Sequence, residues 1–195
     1  MESVQKNKFD AIVIGSGISG GWAAKELCEA GLKTLVLERG RDVKHVKDYP
    51  TAMKDPWEFT HGNKIPKREA NPIVSKCYAY DAGTEQFFVK EEKHPYVQEK
   101  PFDWIRGYQV GGKSIIWGRA CQRWSDHEFT APANFNYGLD WPIRYKDVDD
   151  WYTHVEKFIG VCGNKDGIEA MPDGYFMKPF DLTIVEQHVK EVIAK

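Results

Sequence analysis

The sequence predicts an α/β fold that opens on a parallel βαβ unit, and three observations carry that prediction. Residues 9–14 form a nearly continuous apolar run, the pattern of a parallel strand covered on both faces. A glycine-rich turn, Gly15-Ser16-Gly17-Ile18-Ser19-Gly20-Gly21, follows at once, and residues 22–30 then read as a helix closed by Gly31. Residues 33–38 make a second apolar run that ends on an acid, Glu38.

Each part of that unit has a chemical reason. Gly15 allows the tight turn, Gly17 leaves room for a pyrophosphate to approach the backbone, and Gly20 lets the helix sit close to the sheet. Ser19 lies beside them, where free N–H groups at the helix start face a phosphate. Glu38 stands about 20 residues beyond the turn, where a carboxylate can accept both hydroxyls of an adenosine ribose. The same charge repels a 2′-phosphate, which disfavours a phosphorylated nicotinamide cofactor. Strand, G-x-G-x-x-G turn, helix, strand and terminal acid in this order predict a Rossmann-like dinucleotide site. They do not separate FAD from NAD. Arg39 and Arg41 either approach the cofactor phosphates or stand as solvated loop charges.

The middle of the chain is less regular. Pro50, Pro56, Pro66 and Pro72 prevent a long helix over residues 42–75. His45 and His61 read as surface histidines. Residues 76–90 suggest two short strands with a turn near Asp81–Gly83, and the charges of residues 90–93 suggest solvated surface. Residues 42–103 thus read as an insertion of loops and small elements, the kind of excursion that carries a cofactor lid or a subunit contact.

Residues 104–119 supply a second glycine motif, centred on Arg106-Gly-Tyr-Gln-Val-Gly111-Gly112-Lys113-Ser114-Ile-Ile-Trp117-Gly118. Paired glycines allow close backbone approach, and Ser114 adds a hydroxyl. Arg106 and Lys113 bring positive charge, while Ile115, Ile116 and Trp117 offer a flat apolar wall. These are the needs of a phosphate plus an aromatic ring system. The two motifs together resemble the glucose–methanol–choline (GMC) family of flavin oxidoreductases. The Gly-Gly-x-Ser-x-x-Trp form is most similar to the sugar-oxidising branch that includes pyranose oxidases. Asp140-Trp-Pro-Ile-Arg-Tyr145, the stretch from Asp147 to Glu156, and Ile159-Gly-Val-Cys-Gly163 resemble the same branch. The likeness runs from Phe9 to at least Phe180.

That resemblance implies a role for each matching residue. Gly15, Gly17 and Gly20 would hold the FAD pyrophosphate and Glu38 the adenosine ribose. Arg106, Gly111, Gly112 and Ser114 would line the flavin side, with Trp117 and Gly118 near the ring system. Pyranose oxidases carry a histidine covalently joined to flavin at the place of Ile116. Isoleucine cannot form that bond, so FAD is expected to bind non-covalently. Many members also carry asparagine at the place of Trp117. The family's catalytic base is a histidine far toward the C-terminus, and none of the six histidines here matches it, so no catalytic residue is assigned. The implied activity is oxidation of a secondary alcohol of a sugar or glycoside by hydride transfer to flavin N5. Electrons would pass on to a carrier or to oxygen, and the absent histidine leans the reading toward a dehydrogenase.

Beyond the motifs, alternation places Arg119, Cys121 and Arg123 on one strand face. His127 reads as a surface or structural histidine, with a pocket role as the alternative because it follows the second glycine motif. Residues 147–158 read as an amphipathic helix with Val148, Trp151, Tyr152, Val155 and Ile159 on one face. Its acids, Asp149, Asp150 and Glu156, are then ordinary first-turn helix acids rather than a catalytic pair or a metal site. Thr183-Ile-Val-Glu186 forms a capping box, followed by an apolar stripe over Ile184, Val185, His188, Val189 and Val192. No cap closes that helix before Lys195. The expected organisation is a cofactor domain over residues 1–163 and a linker and helix over 164–195. The helix leads toward a substrate domain in a missing C-terminal portion, without which the α/β fold is incomplete and the piece inactive alone.

Composition limits the alternatives. The chain has 195 residues with 27 basic and 29 acidic side chains, a net charge of −2, so it lacks the cationic surface of a nucleic-acid binder. No apolar run is long enough to span a membrane. The apolar run near the start is short and ends in a glycine turn, which reads as a strand rather than an export signal and suggests the cytoplasm. The four cysteines show no metal spacing and read as reduced thiols. Two other functions remain open: an NAD-dependent dehydrogenase, and a non-catalytic dinucleotide-binding or partner-binding module.

Overall fold

The computed structural model describes residues 8–60, 62 and 71–194. His61, Pro66 and Lys195, which the sequence reading touches, lie outside the described residues. Contacts divide the chain into two compact units that meet at Gly118/Arg119, earlier in the chain than the expected 163/164 boundary.

The first unit opens with strand β1 (Ala11–Ile14), helix α1 (Ile18–Glu29) and strand β2 (Thr34–Leu37). The strands pair in parallel, with Ala11 opposite Thr34 and Ile14 opposite Leu37. Asp10 steadies the entry: its carboxylate accepts the Lys33 N–H at 2.8 Å. At the other end the Gly15 N–H donates to the Leu37 carbonyl at 2.7 Å, extending the ladder into the glycine turn. α1 starts at Ile18, four residues before the expected start, and takes most of the glycine turn into its first turn. It packs on both strands, and Val13 is buried beneath it. The expectation of cover on both faces fails: Ile12 is 61% and Ile14 85% exposed. The cause is the period-two alternation of a strand, which sends these two side chains away from α1.

Described residues between 42 and 103 build the core of this unit. Val74, Tyr80, Phe87 and Phe88 are buried together with Ile116, and Val43, Tyr49, Cys77 and Ile105 pack around them. The two strands expected over residues 76–90 do not form. Short 3-10 turns, Val74–Lys76 and Glu85–Phe87, take their place. The reason is local: the Asp81 carboxylate accepts the N–H groups of Gly83 and Thr84 at 2.8 and 2.9 Å. The Asp81 carbonyl accepts the Glu85 N–H at 2.9 Å. This Asx-type turn uses backbone groups that a hairpin would need.

The second unit holds helices α2 (Asp126–Phe135), α3 (Tyr145–Ile159) and α4 (Ile184–Ile193). Residues 119–123 form no strand, and Arg119 takes a left-handed backbone at φ 57°. α2 was not foreseen, although Ser125 and Glu128 form a capping box that marks its start. α3 matches the expected helix, and its expected apolar stripe is partly covered: Val148, Tyr152 and Val155 are half-buried, whereas Trp151 is 62% exposed and Ile159 also lies open. Its buried residue is Glu156, because Arg123 sits against it. Arg123 is itself buried; Nε donates to Oε1 at 2.8 Å and Nη2 to Oε2 at 2.6 Å. Nη1 donates to Tyr145 and Asp149, and Nη2 also to Thr153. The Glu156 hydrogen bonds raise the Arg123 pKa above its usual value. The Tyr175 N–H completes the shell, donating to Glu156 Oε2 at 2.7 Å. α4 carries the expected Thr183–Glu186 capping box, and none of its residues is buried.

Candidate dinucleotide site

The site grows from the end of β1. Gly15 turns the chain at φ +89°, a value that favours glycine. A Cβ on Gly20 would lie 1.9 Å from the Gly15 carbonyl oxygen, so the helix can approach the turn this closely only with glycine there. A Cβ on Gly17 would meet nothing within 4 Å, which leaves open space at the position where a pyrophosphate would approach. Gly17 is the N-cap of α1, no side chain caps it, and no acid occupies the first turn. The N–H groups of this first turn, including that of Ser19, therefore suit an anion.

Glu38 follows β2 and closes onto the glycine turn. Its Oε2 accepts the Ser16 N–H at 2.8 Å and the Ser16 hydroxyl at 2.6 Å, and its Oε1 accepts the Gly40 N–H at 2.7 Å. These hydrogen bonds, the Ser16 hydroxyl first, lower the Glu38 pKa from 4.5 to about 2. The carboxylate is thus held ionised at the end of β2, where a ribose hydroxyl can approach it.

Ser16 also reaches the second glycine motif. The Gly111 N–H donates to the Ser16 hydroxyl oxygen at 3.0 Å, joining residues 95 apart in the chain. Gly111 and Gly112 both have positive φ, +85° and +56°, and a Cβ on Gly112 would stand 3.3 Å from the Gly17 Cα. Ser114 closes the short turn Gly112–Ile115, its N–H donating to the Gly111 carbonyl at 3.1 Å. That turn packs against α1. The segment before it lies along the end of β2. Arg41 and Gln109 form a parallel bridge, and a Cβ on Gly40 would fall 2.3 Å from the Gln109 nitrogen. The fold therefore brings Gly15, Gly17, Gly20, Glu38, Gly111, Gly112 and Ser114 into one neighbourhood.

The remaining candidates stand differently. Arg39 stacks its guanidinium on the Tyr108 ring at 3.8 Å. Arg106 is buried among aromatic rings, 4.5 Å from Trp104 and 5.0 Å from Tyr96. Its Nη2 donates to the His94 carbonyl and its Nη1 to the Tyr108 hydroxyl. Trp117 is half-buried, and Gly118 packs against Tyr78, whose hydroxyl would lie 2.6 Å from an added Cβ. The expected flat wall of Ile115, Ile116 and Trp117 does not form as such. Ile116 points into the buried core with Phe87 and Phe88 instead. His127 is exposed on α2, its ring 5.8 Å from Phe135. Sequence reasoning missed Ser16, Gly40 and Gln109. The signal for Ser16 was its place between the two glycines of the turn, the one side chain there able both to donate and to accept.

Comparison with known proteins agrees with this geometry. The family model of the NAD(P)-binding Rossmann-like domain matches residues 13–79. The chain is 26% identical to the fructose dehydrogenase large subunit of Gluconobacter japonicus over 89% of its length, and 28% identical to the gluconate 2-dehydrogenase flavoprotein of Pantoea cypripedii over 80%. It is 25% identical to the paromamine 6'-oxidase of Streptomyces fradiae over 82%. The chain spans 31%, 26% and 24% of the length of these three relatives. The N-terminal unit has an α/β Rossmann-like dinucleotide-binding fold, and the chain is similar to several oxidoreductases, some of them flavoproteins by name.

Proposed function

We propose that this chain is the N-terminal part of a GMC-type, FAD-dependent oxidoreductase that oxidises a secondary alcohol of a sugar or glycoside. The observation that carries the reading is the junction of the two glycine turns through Ser16, Gly17, Gly111 and Gly112. An isolated G-x-G-x-x-G unit serves NAD and FAD alike. A second glycine turn laid against the first would extend the phosphate cradle, and the likeness of that second motif to the one in GMC flavin oxidoreductases supports FAD over NAD. The names of two relatives, a fructose dehydrogenase subunit and a gluconate 2-dehydrogenase flavoprotein, support a sugar-type substrate and the dehydrogenase reading. The oxidase relative keeps oxygen open as acceptor.

Under this reading the first-turn N–H groups of α1 and the open side of Gly17 hold the pyrophosphate. Glu38, kept ionised by Ser16 and Gly40, accepts the ribose hydroxyls. Gly111, Gly112 and Ser114 extend the cradle toward the flavin, with Trp117 and Gly118 further along it. Binding is non-covalent, since Ile116 offers no linking atom and is buried. The bound flavin would supply the electron-pair acceptor at its N5. A base that removes the hydroxyl proton belongs to the C-terminal portion that the relatives' greater length implies.

The visible spectrum of the purified full-length protein tests this reading. It should show the two absorption bands of oxidised flavin, released on denaturation and bleached by a sugar substrate without oxygen. An NAD-dependent dehydrogenase, favoured by the description of the matching domain family, would be colourless and would require nicotinamide for turnover. A colourless protein that stays so after FAD reconstitution refutes the proposal.

A further inference from the structure

A second cleft lies in the N-terminal unit, beside the second glycine motif, with which it shares Tyr108 and Gln109. Arg41, residues 85–90, Lys93, His94, Tyr108 and Gln109 enclose about 430 Å³, within the usual size of small-molecule sites. Its charge is one-sided. Arg41, Lys90 and Lys93 face it, and the single lining carboxylate, Glu85, already pairs with Lys90 at 3.3 Å. One turn gathers the last three polar groups: the His94 N–H donates to the Lys90 carbonyl at 3.2 Å, and the Lys93 N–H to the same carbonyl at 3.1 Å.

A buried cation stands directly behind this wall. Arg106 is 5% exposed, and its nearest carboxylate oxygen, on Glu91, is 4.0 Å away. Its Nε has no hydrogen-bond partner. Its two bonded nitrogens attach to His94 and Tyr108, both of which line the cleft. Its ion pair with the mostly buried Glu91 is long, at 4.0 Å, and Glu91 Oε1 accepts no hydrogen bond, so the guanidinium is only partly compensated and an anion in the cleft would add to that compensation.

We infer that this cleft binds a small molecule through a di- or polyanionic phosphate group, held by Arg41, Lys93 and His94 against the field of Arg106. The inference does not depend on the function proposed above. Pyrophosphate is the probe. Titrated calorimetrically into the full-length protein, it should bind with the flavin content unchanged. Lys93→Glu and Arg41→Ala, both at exposed side chains, should each weaken it at least about tenfold, while Lys93→Arg restores it. Gly17→Ala, which meets no neighbouring atom, should leave pyrophosphate binding intact. No binding, binding that expels flavin, binding lost in Gly17→Ala, or binding that survives both charge changes would each overturn the inference. Flavin content is measured independently, so failure here is distinguishable from failure of the proposed oxidoreductase.

Discussion

Replacing Ser16 with alanine removes one hydroxyl that serves two partners, Glu38 at 2.6 Å and the Gly111 N–H at 3.0 Å. The hydrogen bond to the carboxylate is charge-assisted and worth about 1.5–3 kcal/mol. The Gly111 bond is neutral and half-exposed, worth about 1 kcal/mol or less. Solvent access reduces both, so the loss at pH 7 should be about 2 kcal/mol of stability. The same substitution has a titration signature. The Ser16 hydroxyl is the largest cause of the low Glu38 pKa of about 2, while the N–H groups of Ser16 and Gly40 remain in the variant. The carboxyl should then titrate above its wild-type value of about 2, moving back toward the ordinary carboxylate range. The linkage has a definite sign. A depressed carboxyl pKa stabilises the fold above the ordinary value, and that stability is lost as pH falls from about 4.5 through about 2. Urea unfolding of both proteins from pH 7 down to pH 2, with NMR titration of Glu38, measures both effects. The stability gap should narrow at the acid end, where Glu38 protonates. A wild-type Glu38 that titrates near 4.5, or one that Ser16→Ala does not move, refutes the reasoning.

Other predictions concern packing and charge. Gly20→Ala forces a Cβ to 1.9 Å from the Gly15 oxygen and should cost about 1–3 kcal/mol in thermal or urea unfolding. Gly17→Ala should leave stability nearly unchanged yet weaken FAD, read by flavin retention on gel filtration. Glu156→Gln strips the buried Arg123 of its bidentate partner and should destabilise the C-terminal unit by about 3–5 kcal/mol. Asp149→Asn, at a half-exposed side chain, should cost less than about 1 kcal/mol. Ser125→Ala removes the N-cap of α2 and should cost about 1 kcal/mol by the same unfolding measurement.

The βαβ unit was legible because its signals are local. Apolar runs, glycine spacing and a terminal acid each specify the backbone near them. α3 and the Thr183 cap were legible for the same reason. What escaped were structures decided by competition. The alternating residues 76–90 looked like strands, but Asp81 and Thr84 captured the backbone first. Residues 119–123 alternate as well, yet Arg123 is buried by its ion pair with Glu156, 33 residues away. In the site, glycine spacing identified Gly15, Gly17, Gly20, Gly111 and Gly112. Their joining through Ser16 spans 95 residues, and no local pattern carries such a distance. Arg106 illustrates the opposite case: its charge suggested a cofactor contact, whereas the surrounding rings bury it.

The central claim is that the two glycine turns form one cradle for one dinucleotide. Hydrogen exchange of the full-length protein, with FAD bound and after its removal, tests it most directly. FAD should protect the amides of residues 17–20 and 111–114 together, and NAD should not reproduce the effect at the second turn. Protection confined to residues 17–20, or equal protection by NAD at both turns, would contradict the account.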